Sequence, residues 1–96
     1  MATSLDQVLE RTLAVLPVTR EEILMRGITG QLTERIVELK KTAMQLQGKY
    51  GSLELLQERI ARESVSPSDH TLYTDQIEWR SIQSELDELL SILGAI

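Results

Sequence analysis

Residues 72–93 read LYTDQIEWRSIQSELDELLSIL, and their spacing decides the fold. Leu72, Asp75, Trp79, Ile82, Leu86, Leu89 and Leu93 follow one another at alternating intervals of three and four. That alternation traces one stripe along an α-helix. Gly94 supplies the stop. Ser66 as N-cap, Pro67 as first helical residue and Asp69 as an N3 carboxylate supply the start; Ser68 or Asp69 could instead cap a slightly later one. The predicted helix covers 67–93, about 40 Å at 1.5 Å per residue. Asp75 is the one polar member of the stripe. At a core position it would cost stability while fixing register or receiving a basic side chain. Alternatively it lies outside the packed stretch, one turn into the helix.

Working back from this helix, Met25, Leu32, Leu39 and Leu46 recur every seven residues. Thr29, Ile36, Ala43 and Tyr50 recur on the interleaved register. Together they make a second long stripe, weakened at Thr29 and Ala43. Thr19 and Glu22 match capping-box spacing, with Glu21 and Glu22 in the first turn, so this helix is predicted over 20–50. Gly27 and Gly30 mark a bend, a break or a close approach of another backbone. Gly51 stands where a left-handed residue would end the helix. A shorter helix, 53–63, follows Ser52, with Leu53, Leu56 and Ile60 on one face and Leu55 beside them. At the front, Ser4 caps a helix over 5–16, with Asp6 in its first turn and Leu5, Val8, Leu9, Leu13 and Leu16 at helical spacing. Pro17 ends it. The tract from Ser64 to Asp69 reads as a linker.

Sustained period-two alternation is missing from the sequence, as are hairpin dipeptides. The expected fold is all-α. Two long striped helices and two shorter ones form a helical hairpin or bundle in a single domain over 1–96, dimeric in solution. The 96 residues are 42% hydrophobic, with one Trp, two Tyr and no Phe. The core must therefore be aliphatic, which suits helix packing better than sheet. With no Cys, disulfides and thiolate metal sites are excluded. No run approaches the roughly 18 apolar residues of a membrane span, and the first nine residues do not read as a signal peptide. A cytoplasmic location and no membrane association are the resulting expectations.

Charge is unevenly placed. Residues 1–48 carry six acids and six bases; residues 49–96 carry nine acids and four bases. An acidic half repels phosphate backbones and suits a basic protein. Arg20, Arg26, Arg35, Lys40 and Lys41 lie along one helix but alternate with Glu21, Glu22, Glu34 and Glu38. They read as surface ion pairs, not as a nucleic-acid face.

A single chain could bury its two stripes by laying the long helices antiparallel, with the shorter helices over the ends. Against this stands an outer apolar set: Ile23, Leu24, Ile28, Val37 and Met44 beside the first stripe, and Tyr73, Ile77 and Leu90 beside the second. A surplus on both helices points to a further buried face, and so to a second copy or another protein. The expected protein interface comprises Leu32, Ile36, Leu39, Leu46, Leu72, Trp79, Ile82, Leu86, Leu89 and Leu93, with Trp79 as its anchor.

Catalytic chemistry finds no frame. The sole His70 would need a helical co-ligand three or four residues on, where Tyr73 and Thr74 stand. There are no Glu-x-x-His pairs, no Gly-x-Ser-x-Gly turn, and no Gly-Lys-Ser/Thr after Gly27 and Gly30. No enzyme activity, cofactor or metal is expected.

From Glu34 to Leu93 the order is a charged helix ending in Lys49-Tyr50-Gly51, a short helix from Ser52 to Ile60, a polar linker, and Glu78-Trp79 in a final Leu/Glu-rich helix. This order resembles small antitoxin-like members of prokaryotic toxin–antitoxin pairs. The resemblance implies a cytoplasmic protein that neutralises a partner by wrapping helices over it, its acidic C-terminal half facing a basic toxin. It transfers no catalytic residue. The chain departs from such proteins in lacking a basic N-terminal arm for DNA. The other readings of the same features are a coiled-coil assembly adaptor and a small helical transcriptional regulator.

Overall fold

The computed structural model describes residues 4–63 and 71–96. They form four helices, α1 (Leu5–Val15), α2 (Arg20–Tyr50), α3 (Leu53–Glu63) and α4 (Thr71–Gly94), with no strand among the described residues. The chain is all-α. The expected linker and the start signals at Ser66, Pro67, Ser68 and Asp69 lie outside the described residues, as does His70.

The helix ends follow local chemistry. Ser4 accepts from the Gln7 amide at 3.2 Å, and the Gln7 side chain accepts from the Ser4 amide at 3.1 Å, closing a capping box. Leu16 is extended, as the residue before a proline should be. The Glu22 amide donates to Thr19 Oγ1 at 3.1 Å and opens α2. Gly51 adopts φ 89°, and its amide donates to the Gln47 carbonyl, closing the C-terminus of α2. One residue on, Ser52 Oγ accepts from the Leu55 amide and starts α3. The reversal between α2 and α3 is thus written in two adjacent residues.

Gly27 and Gly30 do not break the helix. Both lie inside unbroken helix, and a Cβ at either would meet nothing within 4 Å. The rest of this 31-residue helix outweighs a cost of about 1 kcal/mol per glycine.

The chain resolves into two compact units, Met1–Gln31 and Leu32–Ile96. In the second, Arg35 bonds Glu85 and Lys49 bonds Asp75. The later residue of α2 meets the earlier residue of α4, so the two helices run antiparallel. Helix α3 packs against α4. Leu39 and Leu46 from α2, Leu56 from α3, and Leu72, Trp79 and Ile82 from α4 make the core. Leu56 is sealed completely. Ala43, Tyr50, Leu53, Ile60, Leu86 and Leu89 pack around that cluster.

The first unit is built differently. Helix α1 has no buried residue, and neither does the stretch of α2 that belongs to this unit. Leu9, Thr12, Leu13, Ile23 and Thr29 are only half-buried. Arg20 Nη2 bonds Glu10 Oε1 at 2.6 Å and ties the end of this hairpin.

Candidate protein interface

The stripes read from the sequence are used within the chain. Ile36, Leu39, Leu46, Leu72, Trp79 and Ile82 are buried, while Leu32, Leu86, Leu89 and Leu93 are half-buried. Trp79, at 4% exposure, is a core residue of this chain and presents no free anchor. Met25, the first member of the expected heptad, is exposed, so the buried seam begins later.

Asp75 is the polar member of the seam, and its surroundings explain its place. Its side chain is 15% exposed. The Tyr50 hydroxyl donates a short hydrogen bond to Asp75 Oδ2, and Lys49 Nζ reaches the same oxygen at 3.0 Å. The Tyr50 hydrogen bond, with the Lys49 contact, holds the Asp75 carboxyl below the usual carboxylate range. Desolvation, reinforced by Asp75, pushes the Tyr50 hydroxyl up. Lys49 is raised by its bond to Asp75. The Lys49 ammonium and the Arg59 guanidinium of α3 lie 5.3 and 6.0 Å from the Tyr50 ring centre. Tyr50 therefore joins α2, α3 and α4 at one point. The basic side chain that Asp75 receives is Lys49 of its own chain, and the trio of Lys49, Tyr50 and Asp75 pins the α2–α4 register.

A second cross-helix tie sits nearer the other end of α4. Arg35 Nε and Nη2 bond the two Glu85 oxygens at 2.5 and 3.1 Å, and Nη1 lies 3.4 Å from Glu38. The fork-to-fork geometry raises Arg35 and lowers Glu85. With Arg20 held by Glu10, two of the five bases considered for nucleic acid are already paired with carboxylates.

What the chain leaves uncovered is the outer apolar set. Leu24, Ile28, Val37, Met44, Tyr73, Ile77 and Leu90 are exposed as expected, whereas Ile23 is half-buried. The reading missed how open α1 is: Leu5 and Val15 are 82% and 80% exposed, and Val8 and Leu16 about half. Leu5, Val8, Thr12 and Val15 repeat the alternating intervals of a packing seam, a signal available in the sequence. Val8, Arg11, Thr12, Val15 and Leu16 line an open, mainly apolar groove along α1.

Among the described residues no group of three His, Cys, Asp or Glu side chains could hold a metal ion. No described helix is long and apolar enough to cross a membrane. Every buried side-chain N or O atom among the described residues has a hydrogen-bond partner, so none is left aimed at a ligand. No protein family, curated protein or solved structure matches this chain.

Proposed function

We propose that this chain is a non-enzymatic protein-interaction module whose apolar helix faces are completed by other protein chains. The observation that carries this reading is the state of Met1–Gln31. The unit contains no buried residue among those described, yet exposes Leu5, Val8, Val15, Leu16, Leu24, Met25 and Ile28. Isolated helices of this length are marginal in water, and helical stability in proteins comes mostly from burying an apolar face. Covering one such side chain contributes about 1.5–3 kcal/mol, so a chain that buries these residues gains cohesion that the unit lacks.

A second copy is the partner we assign to this unit. It carries four acids and three bases, so two copies meet with little repulsion. The remaining residues, 32–96, carry eleven acids and seven bases. That acidity supports the antitoxin-like form of the proposal, in which a homodimer covers a basic toxin. The adaptor reading shares the dimer and differs in the partner, which would be a multi-copy assembly subunit.

Light scattering across a dilution series tests the proposal. The expected mass is twice 10.9 kDa, falling to one chain in a Leu5→Asp, Val15→Asp double variant. A wild-type chain that stays single at every concentration, with α1 stably helical, would contradict it.

A further inference from the structure

The second unit carries a groove that its own helices leave open. Helices α2 and α4 form an antiparallel layer, and α3 contributes Leu53 to a groove on one side of it. The other side has no α3 residue in its wall. There a groove of about 520 Å³ is lined by Leu39 and Thr42 from α2 and by Thr74, Ile77, Ser81 and Ile82 from α4, with Arg35, Glu78 and Glu85 at its edges. Leu39 and Ile82 are core residues, each 6% exposed, that also line it. Thr42, Thr74 and Ser81 are small and leave space above them. Ile77 stands on the wall 67% exposed, with no part in the core. Leu39 and Ile82 between two antiparallel helices, flanked by an uncovered isoleucine, form a surface on which a further helix can pack.

The edges select the occupant. Glu78, Ser81, Glu85 and Glu88 follow intervals of three, four and three, so they share one edge of α4. The only base in α4, Arg80, lies two residues off that edge, on another face. From α2, Arg35 is already engaged by Glu85 and Glu38. The Glu78 side chain makes no hydrogen bond or ion pair among the described residues. Of the charges that line the groove, Arg35 and Glu85 are paired, which leaves Glu78 unmatched, with Glu88 further along the same edge; Lys49, seven residues past Thr42 on α2, is held by Asp75. The same groove of a second copy would bring acid against acid. Helix α1, with Asp6, Glu10 and Arg11, offers no cationic flank.

We infer that this groove receives an amphipathic helix from a basic partner protein. Aliphatic residues at three- and four-residue intervals would seat over Leu39, Ile77 and Ile82, and Lys or Arg side chains would pair with Glu78 and Glu88. This rests on the interaction-module reading and deepens it by naming the surface and the partner's chemistry. The test uses the full chain, isotope-labelled, and a synthetic helical peptide with leucines at those intervals and lysines flanking them. A second peptide carries glutamates in place of the lysines. Saturable amide shifts centred on Thr74, Ile77 and Ser81 are expected with the basic peptide alone. Ile77→Ser, at an exposed position, should leave the circular dichroism spectrum intact and weaken binding by about tenfold or more. Glu78→Lys with Glu88→Lys should weaken it comparably and remove its salt dependence. Equal binding of both peptides, shifts centred elsewhere, no saturable binding, or dilution-dependent shifts at Ile77 without peptide would each overturn the assignment, the last by placing a second copy in the groove. A chain that dimerises yet ignores the basic peptide would keep the interaction-module reading and lose the groove.

Discussion

Replacing Trp79 with alanine separates a core role from an interface role. Trp79 is 4% exposed within one chain, and its cluster joins Leu39 and Leu46 of α2, Leu56 of α3, and Leu72 and Ile82 of α4. Truncating a side chain so placed removes its transfer energy and leaves a cavity, at a cost of about 3–5 kcal/mol. Small domains are stable by about 5–15 kcal/mol, so the variant should sit close to its unfolding threshold. With a urea dependence of about 1–3 kcal/mol per molar, its midpoint should fall by one to several molar units. Far-UV circular dichroism is the suitable readout, because the substitution removes the only tryptophan. The loss should be the same at low and high protein concentration, since the packing lies within one chain. An unchanged midpoint would refute the packing described for Trp79. A loss seen only at low concentration would return Trp79 to an interface between chains.

The Tyr50–Asp75–Lys49 cluster predicts a defined pH response. Asp75 is depressed by the Tyr50 hydrogen bond, so its contribution is present above the unfolded carboxylate value near pH 4 and fades as pH falls through the lower folded value. Tyr50 and Lys49 are raised, so their contributions hold below the unfolded values of about 10 and are lost as pH climbs through the folded ones. Stability should therefore be flat near neutrality and fall at both extremes, and a urea series on Tyr50→Phe should show a weaker acid limb; an identical limb would remove the coupling. Gly27→Ala and Gly30→Ala, where an added Cβ meets nothing, should each raise the thermal midpoint by the equivalent of about 0.5–1 kcal/mol. A fall in dimer mass accompanying that rise would place the partner's backbone against these glycines.

Local signals were legible in the sequence because each depends on a few adjacent residues. Helix α2 begins and ends, and α3 begins, where Thr19, Gly51 and Ser52 indicate, since caps act through bonds to amides within one turn. The stripe of α4 showed which residues turn inward, because helical period alone assigns them a face. Periodicity does not say what a face meets. Nothing in the spacing of Leu39, Trp79 and Ile82 distinguishes burial against a helix of the same chain from burial against another chain. Nor does it divide α2, whose unbroken helix runs through the point where the two units meet in sequence.

Helix content, both ends of α2, the starts of α1 and α3 and the inward stripe of α4 were thus determined by sequence alone, through interactions that reach no further than four residues; Gly94, expected to stop α4, lies within it. The pairing of α2 with α4, the use of Asp75 as a register pin and the opening of the groove beside Ile77 were decided only by tertiary structure. Each joins residues 25 to 50 positions apart, and contacts at that separation leave no periodic trace in the chain.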